Sequence, residues 1–162
     1  LPLTSRTGIG IDVHPLVEGR PLVLGGVAVP FELGLAGHSD GDVLIHAVID
    51  SLLGGAGLGD IGTHFPSSDP RYEGIASTLL LEQTIKLLEN HRWRVAYLDA
   101  TILAEHPRLR PHMERIRKTL ASSLCLELDS LNLKATTTDG LGFIGRAEGI
   151  AVMAVATLEP VV

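Results

Sequence analysis

One cysteine in 162 residues leaves Cys125 without an internal disulfide partner, which fits a reducing compartment such as the cytoplasm. Cys125 itself reads as a small core residue on a helix. Aromatic residues make up only 4% of the chain, so the core must be aliphatic. No apolar run is long enough to span a bilayer. The longest candidate, Leu22 to Ala36, is broken by glycines, Pro30 and Glu32. No leader with a basic start and an apolar middle is recognisable. The chain opens on Leu1 rather than methionine, as expected of a processed or trimmed start, or of a piece of a longer chain. Excess positive charge is also missing. The net charge of −6 argues against generic binding to nucleic acid or anionic membranes, and an anionic substrate would need a local cationic site. Repeats, low-complexity tracts and linkers are absent, so residues 1–162 read as one domain with a real core.

What the chain does have is the stretch Gly37 to Gly62, GHSDGDVLIHAVIDSLLGGAGLGDIG. It predicts one amphipathic helix whose apolar stripe is Val43, Leu44, Ala47, Val48 and Leu52. Ser39 is placed to cap it, with Asp42 three residues later as an acidic capping-box partner. The glycines from Gly54 onward are expected to end it. Asp42, His46 and Asp50 are spaced i, i+4, i+8 and stack on one face.

Before this helix, Thr7 to His14 alternates as a strand, with Ile9, Ile11 and Val13 on one face and Gly8, Gly10, Asp12 and His14 on the other. Leu22 to Val29 predicts a strand pair turning at Gly25-Gly26. After it, a proline-stiffened polar loop runs through Asp60, His64 and Asp69, able to close over a small ligand. A helix follows from Gly74 to Asn90, with Ile75, Leu79, Ile85 and Leu88 apolar. Val95 to Ala104 predicts a strand, and Pro111 suits the first turn of a third helix bearing Met113, Ile116, Leu120 and Leu124. Leu131 to Thr138 predicts a strand, DGLGFIGRAEG a turn, and Ile150 to Leu158 a last strand. The order βββ-α-α-β-α-β-β gives an α+β sandwich, with helices on one face of a mixed sheet.

Asp12 and His14, two apart on one strand face, can reach a single ion together with His46. Two imidazoles and a carboxylate suit Zn²⁺ and leave a fourth position open, and Asp42 or Asp50 is placed to orient His46. A strand end facing water would also explain Asp12 and His14, and helix capping would explain Asp42. Lys134-Ala-Thr-Thr-Thr-Asp139 closes a strand with groups that bind phosphate oxygens, and Asp139 can hold Mg²⁺. Strand propensity accounts equally for the threonines. Arg108 and Arg110 stand past another strand end, where α/β sheets bind ligands, or simply in a solvated loop. Taken together these groups point to phosphoryl transfer.

The pieces GIDVHP, GHSDGDVLIHAVIDSLLGGAGLGDIG, HFPSSDPRY, DATILAEHPRLRPH and NLKATTTDGLGFIGRAEGIA make the sequence resemble the 2-C-methyl-D-erythritol 2,4-cyclodiphosphate synthase family over nearly its whole length. That family acts in the non-mevalonate isoprenoid pathway. The resemblance implies a homotrimer, assembled through its sheets, with active sites between subunits. It implies zinc on Asp12, His14 and His46, one ion per subunit, and Mg²⁺ or Mn²⁺ on Asp139 with the diphosphate. His38 and Thr137 would stabilise the transition state, and Ser39 would contact substrate. Asp60, Ile61 and Gly62, with Phe65, Pro66, Ser67, Ser68 and Asp69, would hold the methylerythritol part. Ala104, Glu105, His106, Pro107, Arg108, Leu109 and Arg110 of a neighbour, with Lys134, Thr136 and Thr138, would hold the cytidine diphosphate. Phe143 and Arg146 match residues near the trimer axis, where an isoprenoid diphosphate binds in some members.

Three departures stand out. Ser67 replaces a common carboxylate, Asp139 replaces a glutamate, and Arg108-Leu-Arg110 replaces a common Lys-Met-Leu. The reaction implied is intramolecular attack of a 2-phosphate on a β-phosphate with release of CMP. The residues alone also permit a zinc phosphohydrolase, or a trimeric sensor of nucleotides or isoprenoid diphosphates built on Phe143, Arg146 and Glu148.

Overall fold

Alternation of apolar residues from Ile150 onward builds the middle of the sheet. In the computed structural model, which describes residues 4–161, the strand β7 (Gly149–Pro160) lies between β1 (Arg6–Val17) and β5 (Trp93–Leu103), antiparallel to both. β6 (Leu131–Thr136) joins β5 in parallel, and β4 (Gly34–Leu35) pairs with the end of β1. The sheet order is thus β4-β1-β7-β5-β6, mixed as expected. The two-residue β4 adds a strand to the expected order. Leu1 falls outside the described residues. β2 (Leu22–Leu24) and β3 (Val27–Val29) form a separate hairpin. Its turn needs positive φ at both central residues, and Gly25 and Gly26 supply +60° and +78°.

All three long helices cover one face of the sheet: α1 (Val43–Ala56) on β1 and β7, α3 (Ser77–Asn90) on α1 and β5, and α4 (Met113–Ser123) beside α3 and β6. One-turn helices α2 (Ile61–His64) and α5 (Gly142–Gly145) interrupt the loops.

Helix α1 is not amphipathic. Ile45, Ile49 and Leu53 are buried as fully as the expected stripe, because α3 covers the side turned away from the sheet. The helix also continues through Gly54 and Gly55 and stops at Gly57, whose φ of +73° gives the left-handed cap. Asp42, not Ser39, is the N-cap. Its Oδ1 accepts from Ile45 N at 3.0 Å, and its two oxygens also accept from Gly25 N and Gly26 N at 3.0 and 2.7 Å. One buried carboxylate therefore ties the hairpin turn to the helix start.

Three further differences are local. α3 begins at Ser77 rather than Gly74 and buries Leu80, Leu81, Thr84 and Leu88, leaving Leu79 exposed. β6 ends at Thr136, since the Thr138 hydroxyl turns the chain by donating to Leu141 O at 2.6 Å. Cys125 is exposed and lies beyond α4 in a left-handed conformation, φ +53°. Leu124 fills the core position beside it.

Candidate metal centre and substrate cavity

Strand β1 carries no side chain where it crosses α1. A methyl on Gly8 would overlap the backbone of Ser51 and Gly55, and one on Gly10 the backbone of Ala47. The helix therefore lies almost on the strand. Farther along the same face, the strand presents Asp12 and His14 to His46 on the first turns of the helix.

The three side chains converge. His14 Nε2 lies 2.7 Å from Asp12 Oδ2, His46 Nδ1 lies 3.3 Å from the same oxygen, and the two nitrogens are 3.2 Å apart. A tetrahedral Zn²⁺ with bonds of about 2.0–2.1 Å holds its ligand atoms roughly 3.3 Å apart, so one ion fits these three donors. Their chemistry, two imidazoles and a carboxylate, agrees. Burial alone would push the Asp12 carboxyl up. Hydrogen bonds to His14 and His46, and their charges, outweigh it and hold Asp12 down at about 2. The oxygen is thus ionised and available at neutral pH.

Asp42 and Asp50 do not orient His46. Asp42 serves the hairpin and the helix start, and Asp50 Oδ1 accepts from Ile61 N at 2.7 Å. Instead, His46 Nε2 meets Ser39 Oγ and Ser77 Oγ, each at 2.9 Å.

The triad opens on a cavity of about 530 Å³ whose walls include His38, Ser39, Ile61, Gly62, Phe65, Ser67 and Tyr72. The ring of His38 is steered by Asp69, whose backbone carbonyl accepts from Nε2 at 3.1 Å. Asp60, Pro66, Ser68 and Asp69 do not line the cavity. Asp60 caps α2, with Oδ1 accepting from Thr63 N and Oγ1 at 2.9 and 2.8 Å. That pairing pulls its carboxyl below the usual range. The Asp69 carboxylate is engaged by Arg71 at 2.6 Å, which lowers it likewise. Tyr72, to which the sequence assigns no role, also lines the cavity. It packs edge-on against Phe65, with ring centroids 5.5 Å apart.

A second cleft, about 280 Å³, is lined by Ala104, Glu105, His106, Pro107, Arg108, Leu109 and Arg110, and by Ala135, Thr136 and Thr137. Thr138 and Asp139 continue from it, and Asp139 Oδ1 lies 3.3 Å from Thr137 Oγ1. Lys134 does not reach this cleft. It binds Asp99 Oδ2 at 2.7 Å, two residues short of the strand end where Thr136 lines the cleft. Phe143 on α5 is exposed, and Arg146 just beyond it pairs with Glu148 at 3.0 Å.

The fold and site describe an α+β enzyme with a metal-capable Asp-His-His group at the mouth of a cavity walled by both apolar and polar side chains. The YgbB family model matches residues 5–159, and the chain belongs to that family. It is 56% identical to the 2-C-methyl-D-erythritol 2,4-cyclodiphosphate synthase of Desulfatibacillum aliphaticivorans, over 95% of this chain and 99% of that one. Among solved structures it resembles the bifunctional IspDF of Campylobacter jejuni, with TM-score 0.93 and 40% identity. The match covers 98% of this chain and 43% of that longer one. It also resembles a CDP-bound 2C-methyl-D-erythritol-2,4-cyclodiphosphate synthase, with TM-score 0.88 and 36% identity over 95% of this chain and all of that one.

Proposed function

We infer that the chain is a cyclodiphosphate synthase that converts 4-diphosphocytidyl-2-C-methyl-D-erythritol 2-phosphate to 2-C-methyl-D-erythritol 2,4-cyclodiphosphate and CMP. The reading rests on one observation above all. The Asp12–His14–His46 triangle opens on the cavity that also holds His38, Ser39 and Phe65, in a chain more than half identical to an enzyme of that name. An oxygen of the 2-phosphate attacks the β-phosphorus. The bond from that phosphorus to the bridging oxygen breaks, and CMP leaves with the bridging oxygen. The 2-phosphate is already ionised at neutral pH, so no strong base is needed.

Asp12, His14 and His46 would hold Zn²⁺, and Asp139 would hold Mg²⁺ or Mn²⁺. When bound, these ions supply Lewis-acid charge neutralisation at the phosphates. The protein's own share is positioning, which makes the attack intramolecular and in line. His38, held by the Asp69 carbonyl, and Ser39 face the phosphate end. Ile61, Gly62 and Phe65 enclose the methylerythritol part, with Asp60, Pro66, Ser67, Ser68 and Asp69 shaping that wall. Residues 104–110, with Thr136, Thr137 and Thr138, take the cytidine diphosphate. Arg108 and Arg110 bring positive charge to an acidic protein.

We also propose a homotrimer of single-domain chains. Across the sheet, Val13 pairs with Ala151, Ala151 with Leu103, and Leu103 with Thr136. Triad and cleft thus lie at the same sheet end but three strands apart, roughly 14 Å at about 4.8 Å per strand. That span exceeds the reach of a diphosphate held at the triad, which supports completion of each site by a neighbouring subunit. The outer sheet face supports this. Ile9, Ile11 and Met153 are 60%, 56% and 46% exposed there, an apolar patch that calls for a partner. Phe143 and Arg146 would then stand near the trimer axis and offer an isoprenoid diphosphate a contact. A cytoplasmic location fits the single cysteine and the bacterial relatives.

Phosphorus NMR of the product tests the reaction. A cyclic diphosphate with one CMP per ring supports it. An open-chain monophosphate would make the chain a hydrolase, and binding of an isoprenoid diphosphate without CMP release would make it a sensor.

A further inference from the structure

We propose that Ser77 and Asp40 are positioning residues that lock His46 in its Nε2–H tautomer, so that Nδ1 offers a lone pair to the cation. The proposal rests on the metal reading above and deepens it.

The protons shared among Asp40, Ser77 and His46 can be assigned one by one. The hydroxyl of Ser77, fully buried at the start of α3, donates to Asp40 Oδ1. The Asp40 carboxylate only accepts. It takes Ser77 N on Oδ2 at 3.1 Å and Asp42 N on Oδ1 at 3.1 Å. A serine has one proton, and here it is already directed to Asp40. Toward His46 Nε2, 2.9 Å away, Ser77 Oγ can only accept. Nε2 must therefore carry the hydrogen, since two acceptors at that separation would repel. A neutral imidazole has a single N–H. Nδ1 is then the nitrogen left to give its lone pair to a cation at the point shared with Asp12 Oδ2 and His14 Nε2; without the cation, a proton there faces the Asp12 carboxylate.

Ser39 is not required for this. Its Oγ accepts from Gly41 N at 3.3 Å and lies 2.9 Å from His46 Nε2. Its own proton points to Ser77 Oγ, 3.2 Å away, which can only accept because Ser77 donates to Asp40. His14 has no equivalent support, for its Nδ1 is buried without a hydrogen-bond partner. The two imidazoles therefore differ. His46 is preset by a serine and a carboxylate, whereas His14 takes its orientation from Asp12 and the cation.

The test is ring-nitrogen NMR of His46 in the metal-free chain, paired with zinc affinity from chelator competition. Wild type should show Nε2 protonated, whether or not Nδ1 also carries a proton toward Asp12. Ser77→Ala should give a tautomer mixture and bind zinc about 10–100-fold more weakly. Thr84→Ala is the control, since it removes a buried hydroxyl of the same helix that bonds only Leu80 O, at 2.9 Å. It should change neither readout. Asp40→Ala frees the Ser77 proton to donate to Nε2, should also mix the tautomers, and serves if Ser77→Ala does not fold. A wild-type Nδ1–H tautomer, or variants that keep both the tautomer and the affinity, would overturn the proposal. Failure of the wild type to bind zinc would instead count against the metal reading, and the tautomer spectra would still decide this one.

Discussion

Asp12 Oδ2 stands 3.3 Å from His46 Nδ1, although one belongs to the first strand and the other to the first helix. Two glycines make that approach possible, because any side chain at Gly8 or Gly10 would hold the helix away from the strand.

Gly10→Ala should therefore disturb both stability and metal binding. The added methyl meets the backbone of Ala47 and Ser51, and such overpacking costs about 1–3 kcal/mol. Urea unfolding should show that loss, and zinc titration a weaker site. Gly54→Ala on the helix is the contrast. Its methyl finds only ordinary contacts, 3.7 Å from Ile9 O and 3.9 Å from Gly8 Cα. Removing a mid-helix glycine should add about 0.5–1 kcal/mol.

Asp42 makes stability depend on pH. Burial raises its carboxyl to about 6, against the lowering effect of the Gly26, Ile45 and Gly25 amides, and Asp40's charge adds to the rise. The folded state thus holds this proton more tightly than the unfolded chain, whose value is near 3.8. The stabilisation is full below about 4 and is lost as pH rises through about 6. Asp12, held at about 2, acts in the opposite sense, and its contribution fades only as pH falls from about 4 through 2. Asp42→Asn should flatten the urea midpoint between pH 4 and 6, as measured by chemical denaturation. It should also be less stable at both ends by about 1–3 kcal/mol, since one carbonyl oxygen cannot serve all the amides.

If each active site is shared between copies, two dead variants should rescue one another. His46→Ala lacks the metal donor and Thr137→Ala lacks the neighbour's contribution. Equimolar co-refolded mixtures should regain up to about a quarter of wild-type CMP release, because a randomly assembled site draws an intact triad from one variant and an intact Thr137 from the other about one time in four. Ile11→Asp, on the exposed apolar face, should lower the mass in sedimentation and abolish that rescue.

Much of this arrangement was legible in the chain. Strand alternation placed Gly8, Gly10, Asp12 and His14 on one face, and motif resemblance placed His38, Ile61, Gly62 and Phe65 together. Through-space partners were not. The i, i+4, i+8 spacing favoured Asp42 and Asp50 as supports of His46. Backbone amides of the hairpin and of Ile61 claim those carboxylates instead. Ser77 reaches His46 from a separate helix, and no local spacing reveals that. Lys134 lies in a phosphate-like motif, yet it stops short of the strand end and pairs with Asp99 across the sheet. Cys125 looked apolar enough for the core, but the end of α4 demanded a left-handed residue there.

The central claim is that His46 supports catalysis through a shared cation rather than through packing. Zinc content, CMP release and sedimentation mass of His46→Ala, measured on one preparation beside wild type stripped of metal and reloaded, address it directly. The account predicts a persisting trimer with zinc near zero and CMP release at background, and a stripped wild type revived by zinc. Undiminished CMP release from either zinc-free protein would contradict it.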